Sequence, residues 1–335
     1  MGRIILVGAG VVGLSCGVRL LEAGHRVDLL ARDLPRETTS VVAAALWYPY
    51  LALPEDRVRG WGAAAYDAFT ALATEPKTGV RLLSGTEALS APTPDPWWIS
   101  AVPDLHRVAP PEGYADAWSF TAPVIDMPVY LEWLRRRFQT LGGSLTRMSL
   151  GALPSPAPGS GDIVVDCAGI GARLLAADTS VRPVRGQVVV VRARSTSSDL
   201  ARWWLDESGP TYVIPRGDSI IVGGTEEDGE WSRSPSLETA TEIIWRATRL
   251  VPALAQAQVV AHRVGLRPVR PEVRLEAQGR TIHCYGHGGA GVTLSWGCAD
   301  EVADLVDGLL GRARSQRTTT RRTAVPGVLD DPRFA

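Results

Sequence analysis

An α/β fold joined to an α+β unit is predicted by three features of the sequence. These are a branched apolar run ending in closely spaced glycines, a second strand-to-glycine junction downstream, and a change after Arg185 to β-branched segments separated by turn residues. Ile4, Ile5, Leu6 and Val7 read as a strand buried on both faces. Gly8, Gly10 and Gly13 follow at once as G-x-G-x-x-G. In that pattern the first glycine permits the tight turn, the second lets a pyrophosphate approach the backbone, and the third lets the next helix pack on the strand. Residues 11–23 form that helix, with its free N–H groups and positive dipole end facing the phosphates. Gly24 stops it, and residues 25–31 make a second strand. The motif implies a dinucleotide without saying which. The acid expected at the end of the second strand is replaced by Arg32, with Asp33 next. Asp33, or the backbone around it, is read as the ribose ligand; a helix or turn cap is the alternative.

The composition narrows the class. A chain of 335 residues, 45% hydrophobic and 21% charged, can bury one or two cores. Its formal charge of -1 offers no field for nucleic acid or an anionic membrane. The N-terminal apolar run is too short to span a bilayer and lacks a signal-peptide cleavage pattern, so the cytoplasm is the default. Cys16, Cys167, Cys284 and Cys298 lie scattered without C-x-x-C spacing. They read as buried small hydrophobes in a reducing compartment, with neither a disulfide frame nor a metal site. Lys77 is the sole lysine, which excludes Schiff-base chemistry elsewhere in the chain.

Taken in order, residues 34–50 combine hydroxyls and small residues with aromatics, and Thr38, Thr39 and Ser40 can donate to phosphate or ribose oxygens. Residues 56–74 alternate at helical spacing, with Val58, Trp61, Ala65, Phe69 and Leu72 on one side. Residues 80–83 look like a strand and 91–98 like a proline-rich loop. Asp126 and Pro128 open a helix with Leu131, Leu134, Phe138 and Leu141 on one face, ended by Gly142. Residues 144–148 form a short strand, and residues 151–161 are a surface loop before the buried strand 162–166. Segments 187–192, 211–215 and 219–224 suggest an antiparallel sheet. Ser236 caps a helix to Leu250 with Leu237, Ile244, Ala247 and Val251 inward. Strands at 259–264 and 280–285, a glycine turn and an amphipathic helix over 292–310 complete the pattern.

Three separated segments together resemble the D-amino-acid oxidase family. They are V-G-A-G-V-V-G-L-S with the downstream A-A-A-L-W-Y-P-Y; T-Y-V-I-P-R at 211–216 leading to V-G-G-T at 222–225; and G-L-R-P-V-R-P-E-V-R-L-E at 265–276 with Y-G-H-G-G-A-G-V-T-L-S-W-G at 285–297. The resemblance covers nearly everything up to Gly311. It implies FAD, held by a Rossmann-type domain built from discontinuous segments (1–48, 141–182 and 270–311). A mixed or antiparallel-sheet substrate domain (49–140 and 183–269) and a flexible tail (312–335) complete that division.

Carried over by position, the resemblance makes Tyr212 and Arg274 the holders of the substrate carboxylate, and Gly289 the carbonyl that receives the amino group. FAD contacts are expected from Gly8, Ala9, Gly10, Val11, Val12, Gly13, Arg32, Asp33, Thr38, Thr39, Ala44, Ala45, Leu46, Met148 and Ser149. The turn contributes Gly288, Gly289, Ala290, Gly291, Val292 and Thr293. Tyr48 and Ile214 are expected to line the pocket. Arg274 is chosen from a stretch that also carries Arg263, Arg267 and Arg270.

The implied reaction is oxidative deamination of a D-amino acid, with O2 reoxidising the flavin and yielding hydrogen peroxide, ammonia and an α-keto acid. It needs no positioned base, and the five histidines show no acid partner at useful spacing; His287 falls in the flavin turn. The D-aspartate oxidases resembled here carry an arginine where this chain has Leu205 beside Asp206 and Glu207. Neutral, apolar D-amino acids are therefore expected over D-aspartate, with basic ones left open. A glycine or sarcosine oxidase and a non-catalytic FAD-binding protein are the rival readings, and a homodimer is compatible with all of them.

Overall fold

The computed structural model describes residues 3–49, 52–156, 162–193 and 195–311. The tail at 312–335 and part of the loop at 151–161 lie outside the described residues. Strand β1 (Arg3–Val7) runs into helix α1 (Val11–Glu22) and strand β2 (Arg26–Ala31). Helix α2 (Glu55–Leu72), strands β3 (Val80–Leu89), β4 (His106–Arg107) and β5 (Asp116–Ile125), and helix α3 (Met127–Thr140) follow. Then come β6 (Ser144–Arg147), β7 (Ile163–Asp166), the short α4 (Ala172–Leu175) and β8 (Arg182–Arg192). Strands β9 (Trp203–Asp206), β10 (Tyr212–Arg216), β11 (Ser219–Gly223) and β12 (Glu227–Asp228) precede helix α5 (Leu237–Leu250). Strands β13 (Gln258–Gln278) and β14 (Thr281–His287) and helix α6 (Gly291–Leu309) end the described chain.

The strands join in one 14-stranded sheet in the order β4-β5-β3-β9-β10-β11-β8-β13-β14-β7-β1-β2-β6, with β12 beside β8. From β14 to β6 every pair is parallel, as the buried, branched sequences of β1 and β7 require. From β13 to β4 the pairs are antiparallel apart from β3 with β9. Strand β13 belongs to both parts: Val269 pairs with Arg182 of β8 on one side and His287 of β14 on the other.

The helical faces follow the sequence closely for α2, where Val58, Trp61, Ala65, Phe69 and Leu72 are all buried. Two faces differ from expectation. In α3, Leu131, Leu134 and Phe138 are buried but Leu141, just past the helix, is 39% exposed. In α5, Ser236 caps as expected by accepting from the Thr239 N–H at 3.2 Å, yet Leu237 is 74% exposed. The buried face of α5 is Ala240, Ile243, Ala247 and Leu250, with Val251 just past the helix buried beside them.

Helix α6 approaches α2 so closely that a Cβ on Gly297 would overlap the Trp61 backbone. Substituting Gly297→Ala is expected to destabilise the protein by about 1–3 kcal/mol despite alanine's better helix propensity, since the obstacle is main chain and cannot swing aside. A lowered Tm in thermal unfolding checks this.

Candidate functional site

The parallel edge of the sheet and its antiparallel continuation enclose a cavity of about 1440 Å³. That exceeds the usual 300–1,000 Å³ of small-ligand sites and leaves room for a dinucleotide with a second small molecule. At one end the loop between β1 and α1 forms its floor, and Gly8, Ala9, Gly10, Val11, Val12 and Gly13 all border it. Gly8 has φ +108°, and a Cβ there would overlap the Cys167 carbonyl. On Gly13 a Cβ would overlap the Gly8 carbonyl. Helix α1 starts at Gly10 with no side-chain cap, so its first-turn amides are directed at the cavity. The Ser40 hydroxyl fixes the near side of this loop by accepting from the Val11 N–H at 3.0 Å.

The other expected dinucleotide contacts divide. Arg32, Asp33, Thr38, Thr39, Ala44, Ala45, Leu46, Met148 and Ser149 border the cavity. Arg32 donates to the Asp33 carboxylate at 2.7 and 3.2 Å, which holds that carboxyl below its usual range. Ala45 adopts φ +61°, a strained conformation for a residue with a Cβ, and its carbonyl is held by the Ile125 N–H at 2.9 Å. In the turn before α6, Gly288, Gly289, Gly291 and Val292 border the cavity. Ala290 and Thr293 do not. They face the core at 0% and 2% exposure, and Thr293 instead braces Tyr48, accepting from its N–H at 3.1 Å and donating to its carbonyl at 2.9 Å. These residues fit a dinucleotide such as FAD: the cradle is glycine where a side chain would intrude, and its N-cap residue Gly10 offers no side-chain cap of its own.

Tyr48, Tyr212 and Ile214 also border the cavity. Tyr212 lies over Gly223 and Gly224; a Cβ on Gly224 would stand 2.9 Å from its hydroxyl, and one on Gly223 would overlap the ring. Burial pushes the Tyr212 phenol up, while Arg267 opposes that shift.

Arg274 is not where the resemblance places it. Its guanidinium donates to Glu276 at 2.7 Å, to the Tyr285 hydroxyl at 2.7 Å and to Gln278 at 3.1 Å, and it does not border the cavity. By residue 274 strand β13 has left β8 and pairs with β14, so its side chains have moved past the opening. Of the four arginines in this stretch, Arg267 is the one that borders the cavity. It lies on the part of β13 paired with β8 and donates to the Thr225 carbonyl at 2.9 Å. Its guanidinium passes over Gly186, where a Cβ would come within 2.6 Å of Nη1. The approach of an arginine to the small Gly186, on a strand adjacent in the sheet but five strands away along the chain, follows only from the register.

Glu87 is a further group the sequence did not indicate. It borders the cavity, is 3% exposed, and accepts from the Tyr48 hydroxyl at 2.7 Å; burial pushes its carboxyl up to about 7. Two histidines do have acid partners, contrary to expectation: His25 with Asp307 at 3.1 Å and His283 with Asp166 at 3.2 Å. Neither borders the cavity. His287 does, but its ring faces the Cys284 sulfur at 4.0 Å. The four cysteines are free and buried, and Cys16, Cys167 and Cys284 converge from α1, the end of β7 and β14.

Comparison with known proteins identifies the family. The DAO family, described as FAD dependent oxidoreductase, matches residues 3–305. A D-amino-acid oxidase of Rubrobacter xylanophilus is 46% identical over 92% of this chain and 97% of its own. One from Streptomyces coelicolor is 40% identical over 91% of this chain and 96% of its own. Among solved structures, glycine oxidase from Bacillus cereus superimposes with a TM-score of 0.77 at 20% identity, covering 95% of this chain and 99% of that one, which is a likeness of fold. With a glycine cradle and a match running nearly end to end, the chain belongs to the DAO family of FAD-dependent oxidoreductases.

Proposed function

We propose that the protein catalyses oxidative deamination of D-amino acids, and that Arg267, rather than Arg274, holds the substrate carboxylate together with the Tyr212 hydroxyl. What supports this reading is that the Tyr212 phenol and the Arg267 guanidinium lie within interacting distance of one another and both border the cavity that the glycine cradle also borders. A guanidinium presents two parallel N–H donors, so it fixes the plane of a carboxylate as well as its charge. The Gly289 carbonyl, in the turn at the same cavity, accepts from the substrate amino group. With the carboxylate and the amino group both held, the enantiomers differ in whether the α-hydrogen or the side chain would face the hydride acceptor, so only one would be in the reacting orientation. FAD held by the glycine cradle would supply the hydride acceptor for the α-hydrogen, with O2 as the final oxidant giving hydrogen peroxide, and the imino acid would be hydrolysed by water to α-keto acid and ammonia. No side chain is assigned a proton-transfer role, in keeping with the Cys284 sulfur beside His287.

Leu205 and Ile214 supply apolar lining for the substrate side chain, and Asp206 and Glu207 border the same cavity, which disfavours D-aspartate. Among the described residues no helix is long and apolar enough to cross a membrane. With four unpaired cysteines the reading we adopt is a reducing, cytoplasmic setting. The test is anaerobic mixing of the yellow holoprotein with D- or L-alanine. Bleaching of the flavin absorbance by the D isomer alone is expected; an unchanged spectrum with every D-amino acid tried would mean a flavoprotein without this turnover.

A further inference from the structure

We propose that Glu87 sets the side-chain specificity of this site and that the side chain it takes is cationic, making D-lysine and D-arginine substrates. The inference rests on the oxidase reading and names its substrate class. In the sheet register Glu87 of β3 lies beside Leu205 of β9, and Leu205 lies beside Tyr212 of β10. Residues paired across strands share a face, so the three form a row along the cavity wall, with Glu87 about 10 Å from Tyr212 at normal strand spacing. One end of the row is the Arg267 and Tyr212 pair and the other end is a carboxyl. Leu205 lies between them.

The carboxyl is incompletely satisfied. Oε1 accepts from Tyr48, whereas Oε2 is buried without a hydrogen-bond partner among the described residues. A buried acceptor left in this state is costly, and a ligand bringing N–H donors removes the cost. Glu207 is near enough to raise the Glu87 carboxyl further, and Asp206 and Glu226 border the same cavity. That collection of acids opposes a second substrate carboxylate and attracts a cation. With its α-carboxylate on Arg267, D-lysine lays its methylenes along Leu205 and brings its ammonium to Glu87 Oε2. The long apolar stem with a charged end matches a wall that is apolar in the middle and acidic at the end.

The test compares D-lysine with D-norleucine, which has the same chain length and no charge, in wild-type, E87Q and E87L holoenzyme. The ratio of kcat/KM for D-lysine to that for D-norleucine is expected to fall by about ten-fold or more in both variants, chiefly through KM. A ratio within about three-fold of wild type in both overturns the inference and leaves the oxidase reading intact. Wild-type enzyme that oxidises D-norleucine but not D-lysine has the same consequence. Turnover of no D-amino acid by wild-type holoenzyme overturns both. E87Q retains the volume of the acid and carries the test if E87L fails to fold.

Discussion

Replacing Arg267 with alanine is expected to raise KM for D-alanine by about ten- to a hundred-fold, the loss of a charge-assisted contact worth about 1.5–3 kcal/mol. Arg274→Ala is expected to change KM by less than about three-fold, because its guanidinium is committed to Glu276, Tyr285 and Gln278. Arg267→Lys is expected to recover only part of the loss, since an ammonium keeps the charge and gives up the paired donors. Steady-state kinetics on all three variants check the assignment. A large KM effect at Arg274 with none at Arg267 would restore the position that the resemblance suggested.

Gly13→Ala is expected to produce protein that loses FAD on desalting, with binding weaker by about ten- to a hundred-fold. The added Cβ overlaps the Gly8 carbonyl, so either α1 or the loop must move, and both present amides to the cavity. The ratio of flavin to protein absorbance after gel filtration measures the effect. Full flavin retention would show that this loop is not the dinucleotide cradle.

How much of this was legible beforehand depended on whether the information was local. The glycine cradle was, since its strand, turn and helix are contiguous. Helix α2 was, since five apolar residues at helical spacing declare one face. Strand β13 was not, because Pro268 and Pro271 argue against a central strand. It extends to 21 residues by changing partner and register near them. The same obstacle hid which arginine borders the cavity: Arg263, Arg267, Arg270 and Arg274 are chemically equivalent in the sequence. Only pairing with β8 sets Arg267 above Gly186 and beside Tyr212. Glu87 lay in a stretch recognised as strand only to residue 83, and its hydrogen-bond donor Tyr48 comes from a different segment. Thr293 was taken for a ligand contact from its neighbours in the turn, whereas one residue's rotation about the start of α6 turns it toward the Tyr48 backbone.

The shared strand also limits how molecules enter. Because β13 is bonded first to β8 and then, past an irregularity between Val269 and Arg274, to β14, the parallel and antiparallel parts of the sheet hang on one continuous strand. Traffic in and out therefore falls to short peripheral pieces such as the turn between β9 and β10, and turnover in this enzyme should respond to the stiffness of that turn more than to any swing of one half against the other.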